Sequence, residues 1–254
     1  MAHEPTDDKH THPDDPLEVT MSTALVTGGS AGLGRALATA LAQLGWQVVV
    51  DARDTARLHE AAREIGAGVR PVVGDVGDPR HRERLAREVD DLGGRLDLLV
   101  NNASTLGPTP LKPVAQLAAE ELDDIWLTNV AAPLALTQVL LPALRAAGGV
   151  LLNVSSDAAV EHYETWGGYA ASKAALDHLT QTLAAENPWL AAYAVDPGDM
   201  RTAMQQAAFP GEDITDRPLP ETVVPHLLAL LGQRPPSGRY RAETFAADHQ
   251  GAHA

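Results

Sequence analysis

The feature that most restricts how this chain can fold is an alternation. Short apolar runs recur along it, and segments of helical character lie between them. Strand candidates are 23–27, 46–51, 69–73, 96–101, 149–155 and 191–196, with a seventh at 239–245. Helix-like segments fall near 33–44, 55–65, 79–92, 114–145, 168–186 and 221–232. Strands this apolar need cover on both faces, so the expected architecture is α/β: a doubly wound parallel sheet of about seven strands with helices on both sides. A chain of 254 residues with 44% hydrophobic content can bury such a sheet as one domain, expected over 21–246. Residues 1–20 mix charge, proline and histidine and are expected to form a disordered tail, with a second short tail at 247–254.

The first strand candidate, Thr23 to Val26, runs into Thr27-Gly28-Gly29-Ser30-Ala31-Gly32-Leu33-Gly34, and a helix-like segment follows from Arg35. Glycines permit a tight turn and close approach of a ligand to the backbone, and the first amides of a helix lack partners and attract an anion. The turn is therefore a candidate phosphate cradle, although its spacing is not G-x-G-x-x-G.

A second constellation lies downstream. Tyr169 and Lys173, four apart in a helix-forming context, share one helix face. A phenol titrates near pH ~10, and a neighbouring ammonium lowers that value, so the pair can serve as an acid/base. An ordinary surface contact is the alternative. Ser156 stands thirteen residues before Tyr169, just past the apolar run Gly149–Val154, at the kind of strand end where open α/β sheets place their chemistry.

Together Ser156, Tyr169 and Lys173 resemble the catalytic signature of the short-chain dehydrogenase/reductase family, and the glycine turn resembles that family's T-G-x-x-x-G-x-G. Further likenesses follow in family order over roughly 22–202. They are Asp75-Val76, Asn101-Asn102-Ala103 with Ser104 in place of the family's glycine, Asn129, and Asp196-Pro197-Gly198 leading to Thr202. The resemblance implies a Rossmann-type fold and an NAD(P)-dependent interconversion of a carbonyl and an alcohol. It implies that Tyr169 exchanges the proton, that Lys173 lowers the tyrosine's pKa and holds the nicotinamide ribose, that Ser156 positions the substrate oxygen, and that Asn129 holds a water leading to Lys173. It places the nucleotide on Gly28, Ser30, Gly32, Leu33 and Gly34, on Asp75 and Val76 at the adenine, on Asn102 and Ala103, and on Tyr169, Lys173, Pro197, Gly198 and Thr202 at the nicotinamide. Homodimers or homotetramers are implied in the same way.

Nucleotide choice turns on Asp51-Ala52-Arg53-Asp54 at the end of the second strand. An acid there bonds a free 2′-hydroxyl, whereas an arginine accommodates a 2′-phosphate. Counting eighteen from Gly34 reaches Ala52, and Arg53 follows, which favours NADP(H) with NAD(H) possible. A one-residue shift of the turn would instead present the Asp51 carboxylate, and Ala31 stands where many NADP users carry a second base.

Composition narrows the partners. With 34 Asp plus Glu against 19 Lys plus Arg, no nucleic-acid-binding face is expected. The absence of cysteine removes disulfides and thiolate metal sites, and His3, His10 and His12 lack the spacing of a metal site. No run is expected to span a membrane, and the first residues lack the order of a signal peptide, so the cytoplasm is the expected compartment. The segment 157–168 is expected to wall the substrate pocket. Its Asp157, Glu161, His162, Tyr163, Glu164 and Trp166 suit a polar or cationic substrate with an aromatic part, or else point to water. Residues 199–220 resemble in position the family's mobile substrate lid. Two other functions share these motifs: a silent nucleotide-binding regulator, against which the complete set of four residues speaks, and an epimerase or dehydratase, which usually carries a longer C-terminal region.

Overall fold

The computed structural model describes residues 21–246; the expected tails, with His3, His10 and His12, lie outside the described residues. Among the described residues, seven strands form one sheet: β1 Thr23–Val26, β2 Gln47–Ala52, β3 Val69–Val73, β4 Leu98–Asn101, β5 Val150–Val154, β6 Ala191–Asp196 and β7 Gly238–Arg241. Their order is β3-β2-β1-β4-β5-β6-β7, and every neighbouring pair is parallel.

Two cores explain why the strands read as continuous apolar runs. Ala24 and Val26 face one core, with Leu33, Leu37 and Leu41 of α1 (Gly32–Gln43), Leu58 of α2 (Thr55–Ile65) and Leu227 of α8 (Val224–Gln233). Leu25 between them faces the other, with Leu85 of α3 (Pro79–Asp90), Leu136 and Leu140 of α5 (Ala132–Ala147) and Leu183 of α6 (Gly167–Glu186). Successive strand residues point to opposite faces, so a strand covered on both sides must be apolar throughout. The chain leaves β1 toward β2 and β3, then returns to place β4 on the other side. That reversal opens a crevice at the carboxyl ends of β1 and β4, where doubly wound sheets bind ligands.

The expected helix 114–145 is interrupted. It resolves into a 3₁₀ turn at Val114–Gln116, α4 at Ala119–Trp126, a π turn at Leu127–Ala131, and α5. Pro133 has no N–H to give the Asn129 carbonyl four residues back, and the helix widens there. The continuous run Ala119–Ala147 is long and apolar enough to cross a membrane, with a mean hydropathy of 1.5 in its best window, contrary to the sequence expectation. In the fold, its Leu136, Leu140 and Leu144 instead pack on the sheet. The segment 199–220 holds one unforeseen short helix, α7 (Ala203–Ala208).

Candidate active site

The glycine turn bends as its composition demands. Gly28 and Gly32 have φ of +70° and +55°, a region L side chains rarely adopt. Helices α2 and α3 are capped by Asp54 and Asp78, which accept from Arg57 N at 3.1 Å and Arg80 N at 2.9 Å. By contrast, α1 has no side-chain cap at Ala31 and no acidic residue in its first turn. Its amide end fronts a cavity of about 650 Å³ whose wall includes Gly28, Ser30, Gly32 and Leu33. A helix start without side-chain caps on a cavity is suited to a phosphate. Gly34 does not line the cavity: it is buried, and a Cβ there would stand 2.6 Å from the Gly28 carbonyl oxygen.

At the end of β2, Asp51 is held by two partners. The residue is 1% exposed; its Oδ1 accepts from Gly28 N at 2.8 Å and its Oδ2 meets His81 Nε2 at 2.8 Å. Both carboxylate oxygens are therefore engaged, although the residue itself forms part of the cavity wall beside Arg53. Arg53 lines the cavity with Nη1 4.0 Å from Asp75 Oδ2, and Arg57, at the start of α2, joins it. Arg57 was not foreseen, although its place one helical turn after Arg53 was the available signal. Asp75 and Val76 close this end of the wall.

β1 and β4 are tied at the crevice. Thr27 Oγ1 accepts from the amides of Asn102 and Ala103, both at 3.0 Å, and Asn102 Nδ2 donates to Thr27 O at 2.8 Å. Ser104 needs no left-handed backbone: its hydroxyl donates to Asn129 Oδ1 at 3.0 Å. Asn129 also accepts from Thr105 N and donates to Thr105 O, both at 2.8 Å, and donates to Ser172 Oγ at 2.9 Å. Its side chain is thus fully engaged and fully buried, outside the cavity wall. It holds segment 104–105 against α6, so the side chain itself is not free to hold the expected water.

Ser156, Tyr169 and Lys173 meet on the opposite wall. Ser156 Oγ donates to Asp157 Oδ1 at 3.0 Å and accepts from Ala158 N at 3.2 Å. Lys173 is 2% exposed, donates to Val154 O at 2.7 Å, and lies 5.6 Å from the Tyr169 ring centre. Burial lowers Lys173 to about 8, with Asp177 pulling the other way. Burial also pushes the Tyr169 phenol well above its ordinary value; the Ser156 hydroxyl opposes this, and the carboxylates of Asp157, Asp196 and Asp177 add to it. The phenol is therefore raised where a lowered one was expected, because burial and the three carboxylates outweigh the Ser156 hydroxyl. Behind this wall, Arg239 of β7 donates to Ser156 O at 2.8 Å and to Asp177 Oδ2 at 2.9 Å, joining β5, α6 and β7.

Beyond the tyrosine, Trp166 stacks edge-on against Tyr169 at 5.7 Å and lies 6.0 Å from Phe209 of segment 199–220. Tyr163 donates to Asp157 Oδ2 at 2.8 Å. Pro197 and Gly198 line the cavity, as does Thr202, whose hydroxyl caps α7 by accepting from Gln205 N at 3.1 Å.

A sequence profile of the family described as short chain dehydrogenase matches residues 22–213. The chain is 35% identical over 202 residues to the sepiapterin reductase of Mus musculus, covering 74% of this chain and 77% of that protein. It is 34% identical over 231 residues to the uncharacterized oxidoreductase YciK of Escherichia coli K12, covering 88% and 90%. Its match to the senescence-associated protein 13 of Arabidopsis thaliana, 38% identical over 169 residues, spans 65% of this chain and only 62% of that protein. Among solved structures, a short chain dehydrogenase from Shigella flexneri 2a complexed with NADP superposes with a TM-score of 0.81 at 30% identity, covering 88% of this chain and 98% of that one. One from Escherichia coli CFT073 complexed with NADPH gives 0.81 at 31% identity, covering 90% and 100%.

Proposed function

The chain belongs to the short-chain dehydrogenase/reductase family, and from that premise we propose that it interconverts a small-molecule carbonyl and its alcohol, with NADP(H) as the preferred hydride carrier. The observation that carries this reading is the single cavity that joins the glycine turn and α1 amide end to Ser156, Tyr169 and Lys173. The nucleotide fits the residues present. The α1 amide end lacks a side-chain cap, a Cβ at Gly32 would meet only Thr202, and Arg53 and Arg57 supply positive charge where the 2′-phosphate would lie. Gly28, Ser30, Gly32 and Leu33 would hold the pyrophosphate, Asp75 and Val76 the adenine, and Asn102, Ala103, Pro197, Gly198 and Thr202 the nicotinamide end.

Bound nicotinamide supplies the hydride in reduction and takes it in oxidation. Tyr169, held protonated by burial, gives its proton to the forming alkoxide oxygen, and in the reverse direction takes it back. Ser156 fixes the substrate oxygen, its own orientation set by Asp157 and Ala158. Lys173 supports the ribose and, while charged, stabilises the phenolate that donation leaves behind. Asn129 keeps segment 104–105 in place beside the cofactor. A panel of carbonyls and alcohols followed by nicotinamide absorbance with NADPH and NADH tests the reading. No oxidation or reduction across the panel would contradict it.

Two consequences are measurable. The Lys173 ammonium is present below its lowered value and lost above it, so kcat/KM for reduction is expected to fall as pH rises through about 8. A profile flat to pH ~10, where an unperturbed lysine titrates, would contradict this. Arg53→Ala is expected to raise KM for NADPH roughly ten- to a hundredfold, the worth of a charge-assisted bond, while changing KM for NADH little. Equal KM changes for both nucleotides would remove Arg53 from the 2′ site.

The family's oligomeric habit extends to this chain as a proposal. Leu122, Trp126, Leu127 and Val139 leave an exposed apolar strip along α4 and α5 that a second copy would cover. A cytoplasmic location is proposed with it.

A further inference from the structure

The buried pair Asp51–His81 is not used by the mechanism above, and it stands beside the proposed 2′-phosphate site. His81 lies in the first turn of α3, and its side chain is 0% exposed. The ring rests on Gly74 at the end of β3, where a Cβ would stand 2.7 Å from its Cε1. Arg84 Nη2 lies 3.1 Å from His81 Nδ1 and donates to Val73 O at 3.1 Å. A guanidinium can only donate, so Nδ1 carries the lone pair and Nε2 carries the proton, which goes to Asp51 Oδ2 at 2.8 Å. Asp51 Oδ1 takes the Gly28 amide. Donors thus converge on Asp51 from two sides, Arg84 through His81 on one oxygen and the first glycine of the phosphate turn on the other.

The placement of Asp51 follows from strand geometry. Val49 of the same strand belongs to the core on the α3 face, and side chains two apart share a face, so Asp51 points toward α3 while Ala52 points away. A carboxylate buried here is stable only with its oxygens bonded. His81 supplies one of those bonds. Behind it, Arg84 sets positive charge on the side of a carboxylate that would otherwise act on a phosphate dianion.

The geometry points to His81 as a specificity-positioning residue for the nucleotide: Asp51 lies in the cavity wall, and His81 holds it on the Gly28 amide so that its carboxylate is turned from the 2′-phosphate site. This rests on the NADP(H) reading above and goes beyond it, since His81 does not line the cavity.

The test compares wild type, His81→Leu, His81→Gln and the double variant Asp51→Ser/His81→Leu. Direct titration gives Kd for NADPH and NADH, and hydrogen exchange is followed at the turn in nucleotide-free protein. His81→Leu is expected to weaken NADPH about tenfold or more, to weaken NADH clearly less, and to speed exchange at Gly28. Glutamine can still donate to Asp51 and is expected to restore most of the NADPH affinity. The double variant, which removes the charge, is expected to do the same. His81→Leu binding NADPH as wild type does would overturn the inference alone. A loss shared equally by both nucleotides and unrelieved in the double variant would overturn it too, as a purely structural effect. Wild-type protein that bound neither nucleotide would overturn the functional reading and this inference with it.

Discussion

Tyr169→Phe is expected to bind NADPH as tightly as wild type and to lose about 10³–10⁴ of kcat, the upper range for removal of a positioned proton donor. The substitution is unusually clean. Tyr169 is only 8% exposed, and its ring packs edge-on against Trp166, a contact phenylalanine preserves. The Ser156 hydroxyl keeps Asp157 and Ala158 as partners when the phenol is gone, so no polar group is stranded. Stability should change by less than about 1 kcal/mol, because volume is conserved. Single-turnover reduction, nucleotide titration and thermal unfolding on the same preparation separate these effects. Retained turnover would remove Tyr169 from the chemistry, whereas lost nucleotide binding would show that it holds the cofactor instead.

Gly34→Ala should act on the fold and the nucleotide together. The added methyl would overlap the Asn102 side-chain amide and stand 2.6 Å from the Gly28 carbonyl. Neither neighbour can give way freely, since Asn102 is tied to Thr27 and Gly28 to Asp51. Overpacking of this kind costs about 1–3 kcal/mol. Because relief must come from the turn, NADPH affinity should fall at least tenfold, beyond any loss of stability. Denaturant unfolding and titration check both, and an alanine variant with unchanged Kd would show that the turn is looser than its contacts imply.

The sheet was legible because burial on both faces leaves a signature that needs no partner to interpret. Val150 to Val154 cannot be a surface segment, and its limits fell within a residue or two of 149–155. β7 was overextended, since Ala242 and Phe245 are apolar but pack as a 3₁₀ turn rather than pairing. The break at 127–131 was readable from Pro133, whose missing N–H acts four residues upstream. The direction of the Tyr169 shift was not readable. Spacing shows that Lys173 is near, but only the fold shows that both groups are buried and that Asp157, Asp177 and Asp196 converge on them. Asp51 falls between these cases. Strand alternation would have placed it on the Val49 face, but its partner is thirty residues away in α3, and no local pattern announces that pairing.

The most direct test of the central claim follows the hydride itself. NADPH deuterated at the reactive face of C4 is incubated with the protein and a carbonyl it reduces, and the alcohol is analysed for deuterium at the carbinol carbon. The account predicts one deuterium at that carbon with wild-type protein, and the same label at a rate lower by the kcat loss with Tyr169→Phe. Alcohol formed without deuterium from either face-labelled NADPH would contradict hydride transfer from the nucleotide held by this site.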